Sequence, residues 1–258
     1  MRLWHMSGAG NDFVVADIRG TAPDLKNMAI RLCAQTGADG FMALDHSDTA
    51  DFRMHFYNPS GLRGEMCGNG ARCICKFAYD LGIAGPQMRV QTDAGEVIGW
   101  HLEEDRYRIR LNTPSVVDLS RKEACAYVEL GDPGIPHVVV ELPELSWEMA
   151  EGLRPRAEAL RYDPAFPKGA NVNFYTMRSA DQADLLTYER GVEDYTLACG
   201  TGSASLAVAL WHQGKLPGGC LTVHSRGGML TVTLSGQNET VTDLFLEGPT
   251  VCLQQIEE

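Results

Sequence analysis

Two cysteines in this chain share one unusual setting. Residues 66–73 read MCGNGARC and residues 198–205 read ACGTGSAS, so Cys67 and Cys199 each precede a Gly-x-Gly and what reads as a helix. A helix N-terminus presents unsatisfied N–H groups and a partial positive charge. A thiol placed there shifts toward thiolate and becomes a better base or nucleophile. The same N–H groups, with glycines beside them, can hold a carboxylate. Two such thiols suit the inversion of a carbon, in which one base takes hydrogen from one face and a second group returns a proton to the other. N–H groups aimed at an adjacent carboxylate would support the carbanion between the two steps.

The elements that must position these thiols recur along the chain. Cys67 and Cys199 are 132 residues apart, Val90 and Val223 of two similar hairpins 133 apart, and Pro114 and Pro249 of RIRLNTP and DLFLEGP 135 apart. The near-constant offset reads as an internal duplication. Helical spacing of apolar residues marks DLKNMAIRLC, the segment after Cys67 as far as Gly82, and the segment after Cys199 as far as Gly214. SWEMAEGLRPRAEAL reads as a helix disturbed by Pro155. Alternating runs mark strands at 12–18, 52–57, MRVQT, EVIGWHL, YRIRL, HVVVEL, VNFYTM, DLLTYE, LTVHS, MLTVTLS and DLFLEG. The expected fold is α+β, with two pseudo-symmetric domains, each a mostly antiparallel sheet wrapped around a central helix, and the active site in the cleft. The expected halves are 1–115 and 116–248, with a break near Pro114–Ser120. The last strand, within 249–258, is expected to return to the first half.

The bulk numbers narrow the class. A chain of 258 residues, 44% hydrophobic and 22% charged, is ordinary for a globular protein with a large core. A net charge of −12 argues against a nucleic-acid or anionic-membrane partner, both of which need a basic footprint. The sequence shows no long apolar run and no secretory leader, so a cytoplasmic protein with reduced thiols is expected. Of the eight cysteines, Cys33, Cys73, Cys75, Cys125, Cys220 and Cys252 read as structural thiols. A zinc site on Cys67, Cys73 and Cys75 lacks the C-x₂-C spacing, so no metal is expected.

Taken together, MCGNGARC, GAGNDF, GIPHVVV, GANVNFY and YERGVEDYTLACGTGSA resemble diaminopimelate epimerase, in order and over nearly the whole chain. The resemblance implies epimerisation of L,L- and meso-diaminopimelate without pyridoxal phosphate or any other cofactor, in lysine and peptidoglycan-precursor synthesis, by a homodimer. It implies Cys67 and Cys199 as the catalytic pair, with His137 and Glu189 close to the reacting centre. Gly68-Asn69 and Gly200-Thr201 would hold the reacting carboxylate. Asn11, Asn58, Asn171, Glu189 and Arg190 would bind the substrate, with Asn58, Asn171 and Arg190 on its distal end.

The chain departs from that pattern in three places. Ile135 stands where many relatives have asparagine before Pro-His, and Gly40 where some have a substrate-facing glutamine. ERGVEDYTLAC is one residue longer than the commonest spacing. The first two leave open a racemase of the same superfamily acting on another amino acid, such as histidine. Two further alternatives stand: a dithiol redox protein, which would need an electron-transfer partner, and an amino-acid-binding protein without turnover.

Overall fold

The structure, a computed structural model, describes residues 1–64 and 66–256. The chain forms two compact units, Met1–Arg110 with the segment from Glu247 onward, and Leu111–Leu246. In the first unit the strands are β1 (Arg2–Gly8), β2 (Asn11–Asp17), β3 (Gly40–Asp45), β4 (Phe52–Tyr57), β5 (Arg63–Gly64), β6 (Gln87–Thr92), β7 (Gly95–Glu103) and β8 (Arg106–Arg110). Helix α1 (Leu25–Thr36) connects β2 to β3, and α2 (Gly68–Asp80) connects β5 to β6. The strands that follow are β9 (Pro114–Lys122), β10 (Cys125–Leu130), β11 (Ile135–Glu141), β12 (Asn171–Ser179), β13 (Gln182–Glu189), β14 (Asp194–Thr196), β15 (Cys220–Ser225), β16 (Gly228–Gln237) and β17 (Thr240–Pro249). Helix α3 (Ala150–Arg161) connects β11 to β12, and α4 (Gly200–His212) connects β14 to β15.

The pairings repeat strand for strand. In the first unit β1–β2 is antiparallel, β2–β3 parallel, β3–β4 and β4–β5 antiparallel, β4–β6 parallel, and β6–β7 antiparallel. In the second, β10–β11 is antiparallel, β11–β12 parallel, β12–β13 and β13–β14 antiparallel, β13–β15 parallel, and β15–β16 antiparallel. The last strand, β18 (Val251–Ile256), pairs antiparallel with β1, as β9 does with β10. Residues 257–258, the end of the expected return segment, lie outside the described residues. The α+β fold expected from the sequence is the one observed, and the duplication extends to the order of parallel and antiparallel pairs.

Each unit wraps its sheet around one helix. Every residue of α2 from Gly68 to Ala78 is buried, against β1, β2, β3, β7 and β8. Helix α4 is buried from Gly202 to Leu210, against β9, β10, β11, β12, β15 and β16. SASLAVAL of α4 is apolar or small on every face, whereas α2 also buries the polar Asn69, Arg72 and Lys76. Helices α1 and α3 bury only one stripe, with Met28, Ala29, Leu32 and Cys33 on α1 and Ala157 and Leu160 on α3.

Local differences from the sequence reading have local causes. Strands β1, β3, β9 and β10, and the short β5 and β14, are additional to those read from the sequence. β10 is buried on both faces and β3 nearly so, leaving no polar alternation to see, and Pro114–Ser120 belongs to β9. Helix α3 runs through Pro155, whose ring is exposed, because Ala157 and Leu160 anchor its inner face. Asp24 caps α1 by accepting the Asn27 amide at 3.1 Å. Asp24→Ala should therefore cost about 1 kcal/mol in urea unfolding. An unchanged midpoint would show that water satisfies that amide equally well.

Candidate active site

Cys67 is the N-cap of α2, with extended backbone angles (φ −135°, ψ 121°), and its carbonyl accepts the Ala71 amide at 2.7 Å. Gly8 of β1 permits the start of α2 to come this close, since a Cβ there would lie 2.8 Å from the Asn69 carbonyl oxygen. A chain of hydrogen bonds runs outward from the helix. Arg72 Nη2 donates to Asn69 Oδ1 at 3.0 Å, Asn69 Nδ2 donates to Asn11 Oδ1, and Asn11 Nδ2 donates to Asp39 Oδ2 at 3.2 Å. Each link fixes the orientation of the next amide, so Asn11 and Asn69 both accept from the helix side and donate away from it. Arg72 is wholly buried. Burial pushes its guanidinium down to about 10, while the neighbouring Cys73, Cys67 and Cys75 thiols act the other way. Asn58 is exposed in the turn after β4, where its amide donates to the Leu62 carbonyl at 2.8 Å.

In the second unit Cys199 is the N-cap of α4 (φ −120°, ψ 111°) and is 7% exposed. Its Sγ accepts the Gly202 amide at 3.3 Å and lies 3.5 Å from Thr201 Oγ1, a setting that favours negative charge on the sulfur. Parallel pairing of β11 with β12 puts His137 opposite Asn171, and antiparallel pairing of β12 with β13 puts Asn173 opposite Thr187. Asn173 Nδ2 lies 3.2 Å from His137 Nδ1 and 3.0 Å from the Val138 carbonyl, while Asn173 Oδ1 accepts from Thr187 Oγ1 at 2.9 Å. His137 is fully buried. Burial, reinforced by the Arg190 charge, pulls its pKa down to about 3, so it is neutral at physiological pH.

Asn171 and Arg190 are tied to backbone, and Glu189 to a side chain. Asn171 Nδ2 donates to the Pro136 carbonyl at 3.1 Å and its Oδ1 accepts the Arg190 amide at 2.8 Å. Arg190 Nη1 donates to the Lys168 carbonyl at 3.0 Å, and its side chain is exposed. Glu189 Oε2 accepts from Thr196 Oγ1 at 3.0 Å. Cys75, Cys33, Cys125 and Cys252 all have thiols pushed up by burial, Cys75 to about 12 and Cys33 to about 11, which keeps them protonated and inert.

The diaminopimelate epimerase family model matches residues 3–117 and 131–252. The chain belongs to the diaminopimelate epimerase family, and it is an isomerase. The diaminopimelate epimerase of Chlorobaculum tepidum is 35% identical over 254 residues, covering 95% of this chain and 96% of that protein. That of Aquifex aeolicus is 35% identical over 268 residues, covering 96% and 94%. Among solved structures, a PhzF-family phenazine biosynthesis protein from Bacillus anthracis shares the fold with a TM-score of 0.77 at 15% identity, covering 100% of this chain and 98% of that one. A probable proline racemase from Agrobacterium radiobacter K84 does so at 0.70 and 14%, covering 100% and 92%.

Within this family frame, Gly40 has a packing reason. A Cβ at Gly40 would lie 2.7 Å from Phe56 Cε2 and 3.2 Å from the Tyr57 carbonyl oxygen, so the glutamine expected of some relatives has no room here. Ile135 is 39% exposed at the start of β11. The sequence reading missed Asn173, Thr187 and Arg72. Its available signal was a polar residue inside an otherwise apolar buried element: NVNFY in β12, LLTYE in β13 and ARCICKF in α2.

Proposed function

We propose that this chain interconverts L,L- and meso-diaminopimelate, with Cys67 and Cys199 as the acid–base pair at the α-carbon and no cofactor. The observation that carries the reading is the placement of two cysteines at the N-caps of α2 and α4, the same point in two copies of one topology. In one direction a thiolate takes the α-hydrogen and the other thiol protonates the opposite face. The reverse direction exchanges their roles. Each sulfur needs only modest tuning to serve both as base and as acid near neutral pH.

The charge that builds up next to the α-carbon needs donors aimed at the α-carboxylate. Gly68-Asn69 and Gly200-Thr201 are proposed for that task. The Gly202 amide serves the Cys199 sulfur instead. At the distal end, Arg190 is held by Lys168 and Asn171 and offers its remaining guanidinium edge to a second carboxylate, with Asn58 beside it in role.

A panel of L-amino acids incubated with the reduced protein, free of pyridoxal phosphate and resolved by chiral chromatography, tests the substrate. Conversion of L,L-diaminopimelate alone supports the reading; conversion of histidine or another amino acid in its place overturns it. Arg190→Lys is expected to raise KM for diaminopimelate by roughly ten- to a hundredfold with a smaller change in kcat, because lysine cannot form the two-pronged contact. An unchanged KM would remove Arg190 from the distal site.

A further inference from the structure

The duplication supplies an internal control for the polar cluster under α4. Matching registers make Phe13 the counterpart of His137, Met42 of Asn173 and Phe56 of Thr187. The second glycines of the two cysteine motifs confirm the match: a Cβ at Gly70 would run into Met42, and one at Gly202 into Asn173 Oδ1. The fold thus accepts an apolar trio at these positions in one unit and keeps a buried polar trio in the other. Burying polar groups costs free energy unless every one is satisfied. Yet His137 Nε2 has no hydrogen-bond partner among the described residues, although it is wholly buried. The counterpart trio shows that this topology packs apolar side chains at these positions, so the polar trio and its unpartnered ring nitrogen call for a reason other than packing.

The geometry fixes which hydrogen that atom carries. The Val138 carbonyl at 3.0 Å and the Asn171 carbonyl at 3.3 Å both face the same amide atom of Asn173, which must therefore be the NH₂ nitrogen. Thr187 Oγ1 donates to the amide oxygen on the other side, locking the orientation. An NH₂ group facing His137 Nδ1 at 3.2 Å leaves no room for a hydrogen on Nδ1. The ring's single hydrogen is then on Nε2.

We infer that Asn173, held by Thr187, is a positioning residue that locks His137 as a neutral Nε2–H hydrogen-bond donor, so that in the proposed reaction His137 donates to the substrate or to a thiolate rather than acting as a base. The inference rests on the proposed function for its chemical role, and on the hydrogen bonds alone for its tautomer. A fixed donor in a water-poor site stabilises developing negative charge without reorganising, whereas a base there would have to gain and lose a proton.

The tautomer is read on the wild-type protein, with no assay needed. Nitrogen-15 histidine spectra, with the His137 signals identified by their loss in His137→Gln, are expected to show a protonated Nε2 and a bare Nδ1. Both should stay unchanged from about pH 5 to about pH 9. A hydrogen on Nδ1, or a titration within that range, overturns the inference.

The role is read from variants, on whichever amino acid the wild type inverts. Glutamine can donate from nearly the same place but cannot serve as a base. His137→Gln should stay within about tenfold of wild type in kcat, and His137→Ala should fall by about a hundredfold. Equal losses in both, with folding verified by circular dichroism, overturn the donor role. Asn173→Asp puts a carboxylate beside Nδ1, so it should move the hydrogen to Nδ1 and give the pH–rate profile an ionisation absent from wild type. A wild-type pH profile in Asn173→Asp would show that Asn173 does not set the tautomer. If the wild type leaves diaminopimelate unchanged, the proposed function fails while the spectra still decide the tautomer.

Discussion

Replacing Cys67 or Cys199 by alanine is expected to lower epimerisation of diaminopimelate by at least about a thousandfold while leaving the fold intact. Neither thiol carries the core. Cys67 is partly exposed, and Cys199 sits at the first turn of α4, where its Sγ accepts the Gly202 amide. Alanine removes that contact at Cys199, which costs about 1 kcal/mol by analogy with other N-caps. The proton transfer, in contrast, has no substitute in the alanine variants. The exposed Cys220 provides the control, since Cys220→Ser should retain full activity. The measurement is kcat/KM in both reaction directions with circular dichroism on each variant. Near-normal turnover in either alanine variant would end the two-thiol reading.

Gly202→Ala is expected to destabilise the protein by about 1–3 kcal/mol and to impair turnover, while Gly70→Ala at the equivalent position is close to neutral. Alanine gains up to about 1 kcal/mol over glycine within a helix. At Gly70 the added methyl meets the end of the Met42 side chain, which can swing away. At Gly202 it meets Asn173 Oδ1, with Thr187 Oγ1 at 3.0 Å and Cys199 Cβ at 3.2 Å. Asn173 cannot retreat without breaking its bonds to Thr187 and to the Val138 carbonyl. Urea unfolding of the two variants separates the cases. Equal midpoints would mean that the buried amide is softer than its hydrogen bonds imply.

The same pair of glycines shows what the sequence could and could not reveal. From the sequence, the Cys-Gly-x-Gly motifs read as backbone kept bare for a ligand. The glycine two residues after each first glycine instead faces inward, where the central helix presses on the sheet. The repeat was legible because Cys67, Val90 and Pro114 keep their offset from Cys199, Val223 and Pro249. Strands with one wet face, such as β4 and β6, were legible by alternation. The wholly buried β10 was not, because burial on both faces erases the period. His137 was singled out through the turn it follows and a family resemblance. Asn173 was not, since a buried asparagine on a strand announces itself only when its partners on β11 and β13 are in place.

In the proposed reaction two different thiols handle the two faces of one carbon. Incubation of L,L-diaminopimelate with the reduced protein in D₂O, stopped at low conversion, tests it most directly. Two bases predict one α-deuterium in nearly every meso product and protium in the L,L-substrate that remains. Protium carried over into the meso product would mean that a single group removes and returns the same hydrogen, and would rule out the two-thiol reaction.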